Sequence, residues 1–426
     1  MHIKHHNFCR GCGNPNLQEI LNLGEMHFQG CFKKDGVSSP PKRKMPNVIL
    51  RCDTSKNENA CGLIQTKHSV SPEILYRNYW YESGISFTMR SHLQNIVKQA
   101  VEIKSSEKIK YVLDIASNDN TLLRSYRNHE DSSNASIKKY GVDPSNVASK
   151  QNDKDIFVIN ETFPTKKLTS EFYEKFDIIT SIACFYDVNE PDNFIDQVKR
   201  LLSCNGIWIF EVAYWPTMLE KIAYDSCVNE HVIHYHLAPL EFILKKNGMK
   251  IFKAEKTPTN GGSILCFVCK AECEDFNKEP WQNNLKELRL EEFDACLDEQ
   301  ETYYKFNQKI ESNKSKLVSL LKEIVKSGNT IHIYGSSTKL NTILGYCDIG
   351  PNITPYAAER SPNKIGAETL SGIKIISEEQ SRSMKPDYYL VGPYHFKNEI
   401  LLRESEAIKN GVKFIFPLPD VEVYPC

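Results

Sequence analysis

The sequence predicts an α/β chain in three parts, and three observations carry that prediction. Cys9 and Cys12 form a C-x2-C knuckle, and Cys52 and Cys61 follow it around a polar loop. From about residue 102, short apolar runs alternate with amphipathic stretches, the pattern of a parallel sheet covered by helices. A charged stretch with helical spacing comes next, and the alternation resumes at Thr330. A chain of 426 residues is long enough for two to four domains at roughly 100 to 200 residues each. The expected divisions are a metal-binding segment over 1–70, a helical connector over 71–101 that contributes to a ligand site, and a central α/β domain over 102–271. A helical linker over 272–327 and a C-terminal α/β domain over 328–426 complete the chain.

Four thiolates close a tetrahedral zinc site, and the binding energy of such a site folds a segment too small to build its own core. Cys9, Cys12, Cys52 and Cys61 are the expected ligands of a structural zinc ion, with Cys31 as a spare and ordinary buried free thiols as the alternative. A site of this kind leaves no open position on the metal, so no catalytic role follows.

Composition narrows the function classes. Hydrophobic residues make up 40% and charged residues 25%, with 53 Lys+Arg against 54 Asp+Glu and a net charge of -1. Disorder is excluded, and no basic field exists to hold nucleic acid or an anionic membrane. The longest apolar run, over 178–186, falls short of the ~20 residues that span a bilayer. The N-terminal residues Met1 to His6 lack the apolar core of a secretory signal. The 14 cysteines are therefore read in a reducing compartment and the chain is expected to be cytoplasmic.

In the central region the first strand reads Lys110 to Ile115, followed by the loop Ala116-Ser117-Asn118-Asp119-Asn120 and a helix from Thr121 to Tyr126. Further strands run from Lys139 to Val142, over Phe157 to Ile159, from Phe176 to Ser181 and from Ile207 to Val212. Ligands of such sheets sit at the carboxyl ends of the strands, where Asp143 is placed to accept both hydroxyls of a ribose. A dinucleotide and S-adenosylmethionine both suit that arrangement. The loop has no glycine, which is poor for backbone approach to a pyrophosphate; S-adenosylmethionine carries no phosphate and tolerates this better.

In the C-terminal region, Thr330 to Gly335 forms a strand leading into Ser336, Ser337, Thr338 and Lys339 at a helix start, a site suited to a diphosphate. It lacks the spacing of an ATPase loop. Between the two units, Leu285, Leu288, Phe293, Tyr303, Phe306, Ile310, Leu317 and Leu320 predict two long bracing helices, a coiled coil being the alternative.

The order of motifs along nearly the whole chain resembles the zinc-containing sugar C-methyltransferases that act on nucleotide-linked 4-keto-6-deoxyhexoses. The likeness runs through the cysteine segment, Tyr79-Trp80-Tyr81-Glu82-Ser83-Gly84, Met89-Arg90-Ser91-His92, Leu113 to Leu122, Asn229-Glu230-His231, Asn260-Gly261-Gly262-Ser263, Tyr334 to Thr342 and Pro393 to Glu399. The resemblance implies a Rossmann-like methyltransferase domain and a Rossmann-like C-terminal domain. The implied cofactors are S-adenosylmethionine and structural zinc. S-adenosylmethionine would lie against Asp114, Ala116, Asn118, Asp119, Thr121, Asp143, Pro144 and Ile182. The nucleotide-diphosphate sugar would lie against Ser83, Asn260, Ser337, Lys339, Asn341, Glu359, Arg360, Lys364 and His395. No nucleic-acid or membrane partner is expected, and the chain is expected to be a monomer or a weak homo-oligomer. Five positions depart from the family. Ala116 and Asn120 stand where glycines are usual, Val228-Asn229 replaces Tyr-His or Cys-His, and Asp187 stands near where some relatives carry a histidine.

The implied chemistry is removal of an acidic proton beside the sugar ketone, then attack of the enolate carbon on the sulfonium methyl. His231 is the expected base, because histidine is poised near neutral pH, with Glu230 orienting it or holding a hydroxyl. Tyr79 or Tyr81 is the expected hydrogen-bond donor to the enolate oxygen, and Asp187 contacts sugar or methionine. His231, His234 and His236 could alternatively share a metal. A sugar O-methyltransferase and a non-catalytic nucleotide-sugar-binding protein are the competing functions.

Overall fold

The computed structural model describes residues 3–38, 42–106, 108–130 and 137–425. Its centre is a seven-stranded sheet made of Tyr111–Ile115, Lys138–Val142, Ile156–Ile159, Phe176–Ile182, Leu202–Ala213, Met249–Thr257 and Ser263–Lys270. Numbered along the chain, their order in space is 3-2-1-4-5-7-6, with the seventh strand antiparallel to both its neighbours. The order reverses at the first strand, so the first and fourth strands diverge toward opposite halves of the sheet and open a crevice at their carboxyl ends.

Helices cover both faces because their sequences carry one apolar stripe each. Phe87–Ile103 begins where the Ser86 side chain accepts from the Met89 amide, and it buries Leu93, Ile96, Val97 and Ala100. Pro191–Leu201 starts on a proline, which has no amide to leave unpaired, and buries Phe194, Ile195, Val198 and Leu201. Trp208 lies fully buried among Phe185, Phe194 and Phe210, an aromatic packing that seats the helix Pro191–Leu201 on the fifth strand.

The first part of the chain forms an antiparallel sheet from Leu17–His27, Lys44–Cys52 and Ile64–Thr66. Its fourth strand is Ile233–His234, contributed by the segment after the fifth central strand. The C-terminal sheet has five parallel strands, Lys413–Phe416, Tyr388–Val391, Ile331–Tyr334, Tyr356–Glu359 and Lys374–Ser377, in that spatial order. Beyond them Glu368–Thr369 pairs with Phe32–Lys33, so an N-terminal strand extends this sheet too. Both cross-pairings are absent from the sequence reading, because neither short segment carries a strand pattern of its own.

Two bracing helices are present, Glu279–Asp294 and Gln300–Lys326. Leu285 and Leu288 join the core of the central sheet. Tyr303, Phe306, Ile310 and Leu317 join a second core with Leu21 and Leu23 of the N-terminal sheet and Ile333 and Leu390 of the C-terminal one. Phe293, placed in the apolar stripe by spacing, is instead 80% exposed. Among the described residues no helix is long and apolar enough to cross a membrane.

Candidate active site and zinc centre

Cys9, Cys12, Cys52 and Cys61 converge, their four sulfurs lying within 4.8 Å of one another. Cys9 and Cys61 are 3.5 Å apart, as are Cys12 and Cys52. Zn–S bonds of about 2.3 Å in a tetrahedron put sulfurs roughly 3.8 Å apart, so the donor set fits a closed zinc site. The Asn14 amide donates to Cys52 Sγ at 3.5 Å and to the Asp53 carbonyl, which supports the sulfur from outside the cluster. Cys31 is elsewhere, buried with Phe28, Met45 and Leu75, and is not a ligand of this cluster. His231, His234 and His236 do not gather into a metal site among the described residues.

At the carboxyl edge of the central sheet, the loop after the first strand turns tightly without glycine. Ala116, Asn118 and Asn120 have φ of 63°, 50° and 62°. Asparagine reaches this left-handed region at modest cost through its short polar side chain, whereas alanine is strained there. Asp143 ties the loop down by accepting from the Asn118 amide at 2.9 Å and the Ser145 amide at 2.7 Å. An ionised carboxylate has about four lone-pair sites, so Asp143 keeps capacity for two ribose hydroxyls. Asn120 is fully buried and donates to Asp153 at 3.1 Å. Burial holds Asp114 up at about 7, and Thr180 donates to it at 2.6 Å. Pro144 follows Asp143, and Ile182 ends the fourth strand.

The segment from Tyr79 to Ile85 straps this loop. Ser83 and Gly84 amides donate to Asn118 Oδ1 and Asp119 Oδ2 at 3.1 and 2.7 Å, and Asn118 Nδ2 donates back to the Tyr81 carbonyl at 3.0 Å. A Cβ at Gly84 would lie within 3 Å of Asp119 Oδ2 and Thr121 Oγ1, so one of those side chains would have to shift. Asn118 and Asp119, expected to face a cofactor, thus also hold the strap.

Glu230 and His231 lie in a buried loop just before Ile233–His234. His231 Nδ1 sits 2.9 Å from the Ser226 carbonyl, which can only accept, so Nδ1 carries the proton and Nε2 keeps its lone pair. Its ring packs against Tyr186 at 3.9 Å between centroids. Burial, with His234 and Lys339 nearby, pushes His231 well below the ordinary histidine value, so it is neutral but not poised near neutral pH as the sequence reading expects. Burial raises Glu230 to about 7, opposed by its own amide and that of Gly30. A Cβ at Gly30 would collide with Glu230 Oε1, so the carboxyl occupies space that only glycine leaves. Glu230 Oε2 and Asp187 Oδ1 are buried without hydrogen-bond partners. Burial and the neighbouring Glu230 push Asp187 well above the usual carboxylate range. Tyr76, Tyr79 and Tyr186 crowd the same wall; Tyr81, on the rim, is 43% exposed.

The C-terminal residues fall into two groups. Lys339 is bonded to the Asn260 carbonyl and lies near Asp225, His231 and His395. Burial lowers His395 to about 3. The second group is built on Glu359, which accepts from the amides of Ser336, Arg360 and Ser361, while Lys364 donates to the Ser336 carbonyl at 2.8 Å. Ser337 caps Thr338–Tyr346 by accepting from the Leu340 amide, and Asn341 turns to the Gln29 carbonyl at 2.7 Å. Tyr76, Gly30, Ser226 and Asp225 escaped the sequence reading. Each enters the site through a tertiary contact that no spacing rule marks.

Three family models match the chain in order. They are described as "Putative zinc binding domain" over residues 9–76, "Methyltransferase domain" over 88–254 and "C-methyltransferase C-terminal domain" over 258–419. The chain belongs to the S-adenosylmethionine-dependent C-methyltransferases. C-methyltransferase NovU of Streptomyces niveus is 25% identical over 421 residues, which is 97% of this chain and 96% of NovU. Among solved structures, the PH0226 protein of Pyrococcus horikoshii OT3 has a TM-score of 0.35 at 16% identity, covering 47% of this chain and 96% of that one. Magnesium protoporphyrin IX methyltransferase of Synechocystis PCC 6803 has a TM-score of 0.31 at 13% identity, covering 43% and 81%. In this C-methyltransferase the four-cysteine cluster belongs to the zinc-binding part, and the crevice beside Asp143 to the methyltransferase part.

Proposed function

We propose that the protein methylates a ring carbon beside the ketone of a nucleotide-linked 4-keto-6-deoxyhexose. The observation that carries the reading is the Ser226 carbonyl on His231 Nδ1, which dedicates Nε2 to accepting a proton. His231 Nε2 takes the proton from the carbon flanking the carbonyl. The C–H electron pair becomes the enolate double bond, and the carbonyl π pair moves to oxygen. S-adenosylmethionine, when bound, supplies an electrophilic methyl, and the carbon–sulfur pair leaves with sulfur as the ketone re-forms.

Glu230 borders the base and receives a sugar hydroxyl on its unpartnered oxygen. Tyr79 and Tyr81 contribute to the wall and rim against the sugar. Asp114, Ala116, Asn118, Asp119, Thr121, Asp143, Pro144 and Ile182 form the cofactor crevice, with Asp143 on the ribose. The nucleotide diphosphate lies toward Lys339, Asn260 and His395, with Ser83, Ser337, Asn341, Glu359, Arg360 and Lys364 bordering its path.

The test is a panel of nucleotide-linked 4-keto-6-deoxyhexoses in deuterated water, with and without S-adenosylmethionine. Enzyme-dependent deuterium uptake without cofactor, and a new carbon-bound methyl with it, are the expected results. A methyl on oxygen, or cofactor binding with neither signal across the panel, rejects the reading.

A further inference from the structure

The enolate oxygen needs hydrogen-bond donors in a water-poor site, and the Val228 position offers none. The wall beside His231 holds a carboxyl with one unpartnered oxygen and a tyrosine hydroxyl held by a single long contact. Asp187 ends the short helix Phe185–Asp187, one residue beyond Tyr186, whose ring packs on His231. Its Oδ1 is buried and unpartnered. Tyr76, from the helix Pro72–Tyr76, lies beside Asp187 and donates its hydroxyl to the Glu230 carbonyl in a long contact of 3.5 Å.

We propose that the Asp187 carboxyl and the Tyr76 hydroxyl form the donor pair that stabilises the oxygen of the enolate made by His231. This rests on the function proposed above. A carboxyl can donate only as the neutral acid. The groups facing Asp187 are Glu230, Tyr76, Tyr79, Tyr186 and Cys184; none is a cation, and the nearest lysine of the site, Lys339, faces His231 instead. Asp187 Oδ1 and Glu230 Oε2 have no hydrogen-bond partner among the described residues. An apolar wall without a counter-charge favours the neutral acid, in agreement with the upward direction of the Asp187 titration. Electrons and protons balance without a further reactant: the proton stays on His231 Nε2, the oxygen accepts one hydrogen bond from the Asp187 acid and one from Tyr76, whose single O–H turns from the Glu230 carbonyl to the enolate, and both donors keep their protons when the ketone re-forms.

The sign of the pH dependence follows. The donor exists below the raised Asp187 pKa and is lost as pH rises through it, so exchange falls on the alkaline side. An amide at 187 donates without titrating. Deuterium exchange into the 4-keto sugar is measured without S-adenosylmethionine across neutral to alkaline pH for wild type, Asp187→Asn, Asp187→Ala, Tyr76→Phe and Glu230→Gln. Glu230→Gln is included because Glu230 also titrates near neutrality. The proposal expects Asp187→Asn to lose less than about tenfold in rate and to lack the alkaline fall. Asp187→Ala should lose about 10²–10³-fold, and Glu230→Gln should keep the fall. Circular dichroism establishes that each variant is folded. An alkaline fall that persists in Asp187→Asn overturns the proposal. So does a selective rise in KM for Asp187→Asn at constant kcat, which would make Asp187 a ligand for a substrate cation. Absence of exchange in wild type as well would instead reject the function on which the proposal rests.

Discussion

Ala116 holds a left-handed φ of 63° at the point where the cofactor loop leaves the first strand, a conformation that costs a residue with a Cβ about 1–2 kcal/mol. Ala116→Gly should relieve part of that cost, raising stability by about 1 kcal/mol after the added freedom of the unfolded chain is counted. Urea unfolding checks it, and an unchanged or lower midpoint would show that neighbouring packing compensates the strain. Val228 leaves His231 as the base without a phenolic neighbour on its own segment. His231→Ala should lower methyl transfer about 10²–10⁴-fold while the dissociation constant for S-adenosylmethionine stays within a factor of two or so. A wild-type rate would remove it from the mechanism. The resemblance singled out His231 as a candidate base, but its tautomer was not legible, because the Ser226 carbonyl that sets it is a tertiary partner.

Among elements, the two-residue strand Ile233–His234 decides the most. It fastens the Glu230-His231 loop to Ile64–Thr66, so the four-cysteine part of the chain seats His231. Glu230 is fitted over Gly30 in the same way. Helix periodicity was legible where one stripe meets one core, as in Leu285 and Leu288. It failed at Phe293, whose position in the stripe finds no facing element. Ser337 was read as a ligand residue and is engaged as a helix cap. Ser337→Ala should therefore cost about 1 kcal/mol of stability, measured by thermal unfolding. A change in KM for the nucleotide-sugar without a change in stability would mark Ser337 as a binding residue instead.

At the scale of the whole molecule, the four-cysteine part and the segment that carries Glu230 and His231 share one sheet, which predicts that losing the metal disturbs that segment. Removing zinc with a chelator should lower exchange and helical or sheet signal together, and zinc should restore both. Full exchange in metal-free protein would uncouple them. Acid stability follows from burial: His234, His236 and His395 are each pushed down to about 3, so the unfolded chain binds protons first as pH falls. Their contribution is present above the ordinary histidine value and lost as pH drops from about 6.5 toward 3. Asp114 and Glu230, raised to about 7, act in the opposite sense, contributing below the ordinary carboxylate range and losing that contribution as pH rises through 7. His234→Leu should reduce the stability lost between about pH 7 and pH 5 by about 2 kcal/mol; equal losses in both proteins would free His234 of that role.

The amino-acid sequence by itself determined whatever is local or periodic. The cysteine knuckle, the alternation of strands and helices, the acid after the second central strand and the Glu230-His231 dipeptide each rest on residue types at short spacing. Tertiary structure alone decided the pairings that cross hundreds of residues. It drew Phe32–Lys33 into the C-terminal sheet and Ile233–His234 into the N-terminal one, and it brought Tyr76 beside Asp187. The reason is physical: hydrophobic and backbone patterns act over one element, whereas the environment of a buried acid or base is set by whichever distant chain covers it.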